Sequence, residues 1–150
     1  MKNILKFILI LLPWFLSSLF FNNNDFYQTL NLPFFALKDY MYGIVWTTLY
    51  ILIGISIYII YKNYKFREIK NYNLTLLSNY IFNQLYTFIF FRLQNLFLAF
   101  VDTLLIFLTS LYLYKETKEL DNKASKFLIP YIIFSLFAFI LSITIYFMNL

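Results

Sequence analysis

The chain has 150 residues, 62% of them hydrophobic, 24% aromatic and only 13% charged, with a net charge of +5. Soluble domains keep about a quarter of their residues charged, so this composition, with a mean hydropathy of +0.71, marks a membrane protein in contact with a lipid bilayer. Cysteine and histidine are both absent, which excludes disulfides, thiol nucleophiles, histidine acid–base chemistry, histidine haem ligation and the common zinc sites.

A bilayer core is crossed by about 20 apolar residues in a helix, and five stretches reach that length. They are 4–21, 42–61, 74–91, 96–114 and 127–148. The expected fold class is therefore all-α, a single membrane domain over 1–150 built as a five-transmembrane-helix bundle. The first stretch, "ILKFILILLPWFLSSLFF", has the position of a signal peptide. It lacks a small-residue cleavage site, and "FFNNND" is a poor cleavage context, so it reads as a span. A long loop, 22–41, follows, with a "NNND" cluster and Pro33.

The second span opens with "GIVWTTLY". A helix turns by about 100° per residue, so Gly43, Trp46, Tyr50 and Gly54 share one stripe. The two glycines suit close helix contact in lipid, and the indole between them points at a neighbouring helix or a cavity. The third span carries Asn79, Asn83, Tyr86 and Phe90 on one face, and its amides, with Gln84, should point into the bundle because polar groups are costly in lipid. The turn "RLQN" leads to the fourth span, where Asp102 is the sole acidic residue inside any expected span. With no second carboxylate and no histidine inside a span to pass a proton onward, Asp102 is expected to be a buried hydrogen-bond partner, and with Asn79 it forms the structural polar set. "KETKELDNKASK" reads as a solvated loop before the fifth span, where Phe134, Ala138, Leu141 and Ile145 share a face.

Lys2, Lys6, Lys62, Lys65, Arg67, Lys70, Lys115, Lys118, Lys123 and Lys126 fall on one side of this topology, against Lys38 and Arg92 on the other. The positive-inside rule then puts the N-terminus in the cytoplasm and the long first loop outside. These cations lie between apolar runs and form no continuous stripe, so no nucleic-acid partner is expected. No internal repeat supports an inverted-repeat transporter.

Residues 27–62, "YQTLNLPFFALKDYMYGIVWTTLYILIGISIYIIYK", resemble the TspO/translocator protein family, also called tryptophan-rich sensory proteins or peripheral benzodiazepine receptors. The match rests on Tyr27, Leu30, Pro33, Phe35, Gly43, Val45, Trp46, Thr47, Leu49, Tyr50 and Gly54. Asn83, Phe90, Phe91, Ala99 and Asp102 continue it, as do Pro130, Tyr131, Phe137, Ala138 and Asn149. Among the departures, Leu37-Lys38 stands for a proline pair, Gln84 and Tyr86 stand where tryptophans are common, and Phe134 replaces a tryptophan. The sterol-recognition-like ending of animal members is absent.

The resemblance implies a five-helix bundle, commonly a homodimer, whose pocket is closed by the first loop and takes porphyrin or haem as ligand. Carried onto this chain, it implies a pocket lined by Trp46, Tyr50, Asn83, Tyr86, Phe90, Phe134, Ala138 and Leu141, under a lid at Pro33, Phe34 and Phe35. No catalytic residue, metal site or resident cofactor is expected. The leading expectation is a tetrapyrrole-binding sensor, regulator or carrier in a bacterial cell membrane. The alternatives are a small transporter or channel subunit with Asp102 on a polar path, and a light-dependent porphyrin-degrading enzyme.

Overall fold

The computed structural model describes residues 2–16 and 25–150. Helix α1, Lys2–Leu11, tightens into a 3-10 turn over Leu12–Phe15, because Pro13 has no N–H to continue the α ladder. The carbonyls of Pro13 and Trp14 are met from elsewhere: Tyr80 Oη donates to Pro13 at 3.1 Å and Gln84 Nε2 to Trp14 at 3.4 Å. The rest of the expected first span, 17–21, lies outside the described residues. A short turn of helix, α2, covers Asp25–Gln28.

Helix α3 runs over Asp39–Asn63, and α4 over Lys70–Thr87, continuing as a π-helical turn at Phe88–Arg92. The turn after it includes Gln94, whose φ of 51° is left-handed. Helix α5, Leu96–Leu120, starts where Asn95 Oδ1 accepts from the Leu98 N–H at 2.9 Å. Asp121 Oδ1 caps α6, Asn122–Lys126, by accepting from the Lys123 and Ala124 N–H groups at 2.8 Å. Helix α7 covers Ile129–Met148, with Pro130 in its first turn, where a missing N–H costs nothing.

The solvated loop expected at 115–126 is not one. The lysines, glutamates and leucine of "KETKEL" are strong helix formers and extend α5 by more than a turn, while Thr117, Ala124 and Ser125 are fully buried. Three stretches, Asp39–Asn63, Leu96–Leu120 and Asn122–Met148, are long and apolar enough to cross a membrane, and Ile4–Phe15 is a shorter apolar helix. Helix α4 is diluted by its amides, two of which, Asn79 and Asn83, are buried inside the protein. Together α1, α3, α4, α5 and α7 make a five-helix membrane bundle, and no strand occurs among the described residues.

Helix α5 is central, packed along α4 on one side and α7 on the other, and α1 lies on α3. Small residues permit the close approach: Ala99 is fully buried, and Ser110 and Ser135 meet across α5 and α7 at 3.1 Å. A Cβ on Gly54 would stand 3.4 Å from both Leu11 Cδ1 and Phe7 Cε2, so Gly54 does admit α1. Gly43 does not serve that way: nothing lies within 4 Å of the corresponding Cβ position. Its place is beside the cavity described below.

Phe7 packs on Tyr58 and Trp14 on Tyr50, which makes α1 antiparallel to α3. The first loop meets the end of α7 through Asn31 and Asn149, while at the other end Tyr64 Oη donates to the Leu120 carbonyl at 3.0 Å. The N-terminus of α1 and residues 62–73 and 115–126 thus gather at one end, and the first loop with Lys38 and Arg92 at the other.

Candidate functional site: an aromatic cavity under the first loop

Helix α3 touches α5 and α7 only sparingly, and the space between them is a cavity of about 510 Å³. Known small-molecule sites range over about 300–1,000 Å³. All eight residues expected to line a pocket do line it: Trp46 and Tyr50 from α3, Asn83, Tyr86 and Phe90 from α4 and its π turn, and Phe134, Ala138 and Leu141 from α7. The helical period explains the agreement, because residues on one stripe face one space.

The walls are aromatic and mutually braced. Trp46 lies tilted against Tyr50 at 5.6 Å between ring centroids and meets Phe134 edge-on at 5.4 Å. Tyr86 stacks on Phe90 at 5.6 Å with 20° between the planes. Such pairs add about 0.5–1.5 kcal/mol beyond their buried area, so the wall is ordered before any ligand arrives. Ala138, between Phe134 and Leu141 on α7, leaves the free width. Gly43 and Thr47 are exposed on the cavity's border and mark where it opens.

One polar network sits behind this wall. Asn83 Nδ2 donates to the Asn79 carbonyl at 2.9 Å and to Tyr131 Oη at 2.7 Å. Tyr131 in turn donates to Asn79 Oδ1 at 2.8 Å, and Asn79 Nδ2 donates to Thr109 Oγ1 at 2.8 Å. Asn79 is therefore structural, tying α4 to α5 and α7. With both hydrogens of Asn83 Nδ2 engaged, its Oδ1 is the acceptor left to the cavity.

The expected lid is corrected in its residues. None of Pro33, Phe34 and Phe35 borders the cavity. The Ala36 N–H closes a turn onto the Pro33 carbonyl at 2.9 Å, which turns Phe34 outward to full exposure and lays Phe35 edge-on against Phe137 at 6.3 Å. Tyr27, from α2, covers the cavity instead. Tyr27 and Tyr42 are bonded at 3.1 Å, Tyr27 donates to the Leu37 carbonyl at 3.1 Å, and the Leu37 N–H donates to Tyr42 Oη at 3.2 Å. Each hydroxyl in this ring gives one bond and takes one, which fixes Tyr42 as donor to Tyr27. Burial pushes the Tyr27 phenol above its ordinary range, so it stays a neutral donor.

Asp102 is also corrected. It is buried, at 4% exposure, but its Oδ2 has no hydrogen-bond partner. It stands next to Thr103, which lines the cavity, and within electrostatic reach of Tyr86 and Tyr131, without bordering the cavity itself.

Sequence reasoning missed Tyr27, Asp39, Tyr42, Thr103 and Ser142 among the lining residues. Tyr42 lies one turn before Trp46 on the same stripe, so a signal was present. Asp39 fell outside the expected span, which began three residues late.

The TspO/MBR family model matches residues 6–148. A tryptophan-rich protein TspO of Bacillus cereus is 38% identical over 149 residues, covering 99% of this chain and 97% of that protein. An uncharacterized membrane protein, YtaB, of Bacillus subtilis is 36% identical over 85% of this chain and 83% of its own length. A tryptophan-rich protein TspO of Archaeoglobus fulgidus is 32% identical over 82% of this chain and 79% of its own.

Proposed function

The chain belongs to the TspO/MBR family of membrane proteins, and from that premise we propose that it binds a tetrapyrrole within the bilayer, as a sensor, regulator or carrier. The observation that carries the reading is the cavity: indole, phenol and phenyl rings on three helices face one space of about 510 Å³ whose surface is mainly apolar. A flat, largely apolar macrocycle matches such walls by stacking and edge contacts. The chain has no histidine or cysteine to offer haem iron, so metal-free porphyrin is the sharper probe.

The protein acts by binding, and no catalytic group is assigned. A transporter with Asp102 on a polar path has less support, because Asp102 is buried away from the cavity lining. The proposed setting is a bacterial cell membrane with the N-terminus cytoplasmic, as a homodimer. Light scattering of the detergent-solubilised protein tests the dimer.

The test of binding is a protoporphyrin titration followed by Trp46 fluorescence in a Trp14→Phe background, which removes the other indole. Saturable quenching that is lost in Ala138→Phe is the expected outcome. Quenching that stays linear with added porphyrin would refute the reading.

A further inference from the structure

The connection from α3 to α4, "YKFREIKNYN" at 64–73, is tied down along its length. Tyr64 is bonded to the end of α5, Tyr61 Oη donates to Asn73 Oδ1 at 2.8 Å, and Asn73 Nδ2 donates to the Phe66 carbonyl at 2.6 Å. The Lys65 N–H donates to Glu68 Oε2 at 2.9 Å, which closes the 3-10 turn Phe66–Glu68 on itself. Between this fixed segment and the end of α5 lies a hollow of about 300 Å³. Arg67, Glu68, Lys70 and Tyr72 line one side, and Glu116 and Leu120 the other.

The α4 side offers donors that the protein leaves unused. Ile69 has no side chain able to cap α4, and the first turn holds no acidic residue, so the first N–H groups present the positive end of the helix uncompensated. Arg67 and Lys70 are exposed, and neither is ion-paired among the described residues. Tyr72 is 1% exposed, yet its hydroxyl makes no hydrogen bond among the described residues. Of the buried polar atoms left without a partner, only Ser56 Oγ and Asp102 Oδ2 are sealed from outside. The Tyr72 hydroxyl is therefore reachable, and the space its side chain borders is this hollow. Guanidinium, ammonium, phenol and helix N–H groups around one space make a donor set for a phosphate.

Glu116 stands opposite, half-buried and also without an ion pair among the described residues. Its carboxylate repels a simple anion, so the hollow suits a molecule that brings its own cation. We propose that it seats the headgroup of a phospholipid with a primary ammonium, of the phosphatidylethanolamine kind, with phosphate toward α4 and ammonium toward Glu116. A primary ammonium has three N–H donors for that carboxylate, which a trimethylammonium lacks. The bilayer is the source, because both helices expose apolar residues on the membrane side of the hollow. Leu74, Leu77 and Ile81 continue the stripe of Lys70 down α4, and Tyr112 and Leu108 lie one and two turns below Glu116 on α5. Acyl chains hanging from a seated headgroup can lie along these residues, and a soluble phosphate ester would leave them unused.

The test is native mass spectrometry of the full chain in detergent, titrated with phosphatidylethanolamine, phosphatidylglycerol and phosphatidylcholine of matched acyl chains. Phosphatidylethanolamine should bind about fivefold or more tightly than the other two. Tyr72→Phe removes no hydrogen bond within the described protein, and it should weaken phosphatidylethanolamine and phosphatidylglycerol alike by about threefold or more. Glu116→Gln should erase the preference between those two lipids while far-UV circular dichroism stays that of the wild type. Equal binding of all three lipids, unmoved in both variants, would overturn the site, and so would a preference for phosphatidylglycerol in the wild type. Glycerophosphoethanolamine, the headgroup without chains, should fail to displace the lipid at equal concentration. Displacement there would overturn the bilayer as the source.

Discussion

Asn31 and Asn149 exchange two hydrogen bonds across 118 positions of sequence: the Asn31 N–H donates to Asn149 Oδ1 at 2.9 Å, and Asn149 Nδ2 donates to the Asn31 carbonyl at 3.0 Å. The pair fastens the first loop to the last turn of α7, beside the cavity. A hydrogen bond contributes about 1 kcal/mol net, so the clasp is firm enough to hold the loop and weak enough to open. Asn149→Ala should speed porphyrin release severalfold while the thermal unfolding of the bundle shifts little. Stopped-flow dissociation measures it, and an unchanged release rate would show that the loop does not gate the cavity.

Ala138→Phe should fill the space between Phe134 and Leu141 and weaken porphyrin binding by tenfold or more, since the cavity of about 510 Å³ has little width to spare. Far-UV circular dichroism should remain that of a helical bundle. Full affinity in a well-folded variant would place the ligand elsewhere.

For Asp102 the structure reverses an expectation. A partnered carboxylate would make Asp102→Leu destabilising. With Oδ2 buried and unpartnered, the native group is itself the costly one, and an apolar replacement should be neutral or stabilising by about 1–3 kcal/mol. Asp102→Asn should change little. Denaturation in detergent decides it, and a clear loss of stability in Asp102→Leu would mean that a partner exists in the bilayer.

Light should do little to bound porphyrin. An indole yields an electron far more readily than a phenyl ring, and of the lining residues only Trp46 has one. Trp14 is buried one ring further out, 5.5 Å from Tyr50. Illuminated protoporphyrin complex should lose its Soret band no faster than free pigment in detergent. Rapid decay abolished by Trp46→Phe would show that the protein is an enzyme after all.

The membrane orientation is open to cysteine labelling, because the chain has no native cysteine. Phe34→Cys, fully exposed on the first loop, should react with an impermeant maleimide in intact cells. Lys118→Cys, exposed near the end of α5, should react only after lysis. The reverse pattern would put the N-terminus outside.

What could be read from the sequence was what repeats with the helical period. Trp46 and Tyr50, or Asn83, Tyr86 and Phe90, fall on common stripes, and a stripe of unusual residues announces a common space. The first loop has no period. Nothing in "LPFFALK" says that the Pro33 turn would throw Phe34 outward and leave Tyr27 to cover the cavity. Gly43 and Gly54 were indistinguishable on their stripe, and only the approach of Phe7 and Leu11 separates them. The missing partner of Asp102 is a fact of three dimensions, which residue spacing does not carry.

Helix α5 holds Thr103 and Ile106 at the cavity and Lys115 and Lys118 near its far end, with no glycine or proline between Leu96 and Leu120 to bend it. Its 25 residues make a rod of about 38 Å, longer than a hydrocarbon core of about 30 Å. From Thr103 to Lys118 is about 22 Å along the axis. A ligand that tilts the rod by about 5° at the cavity therefore moves the Lys118 end by about 2 Å, beyond the hydrocarbon, where a soluble protein could detect it. Being stiff, the helix would carry any displacement at the cavity undiminished to its lysine end, as a lever does.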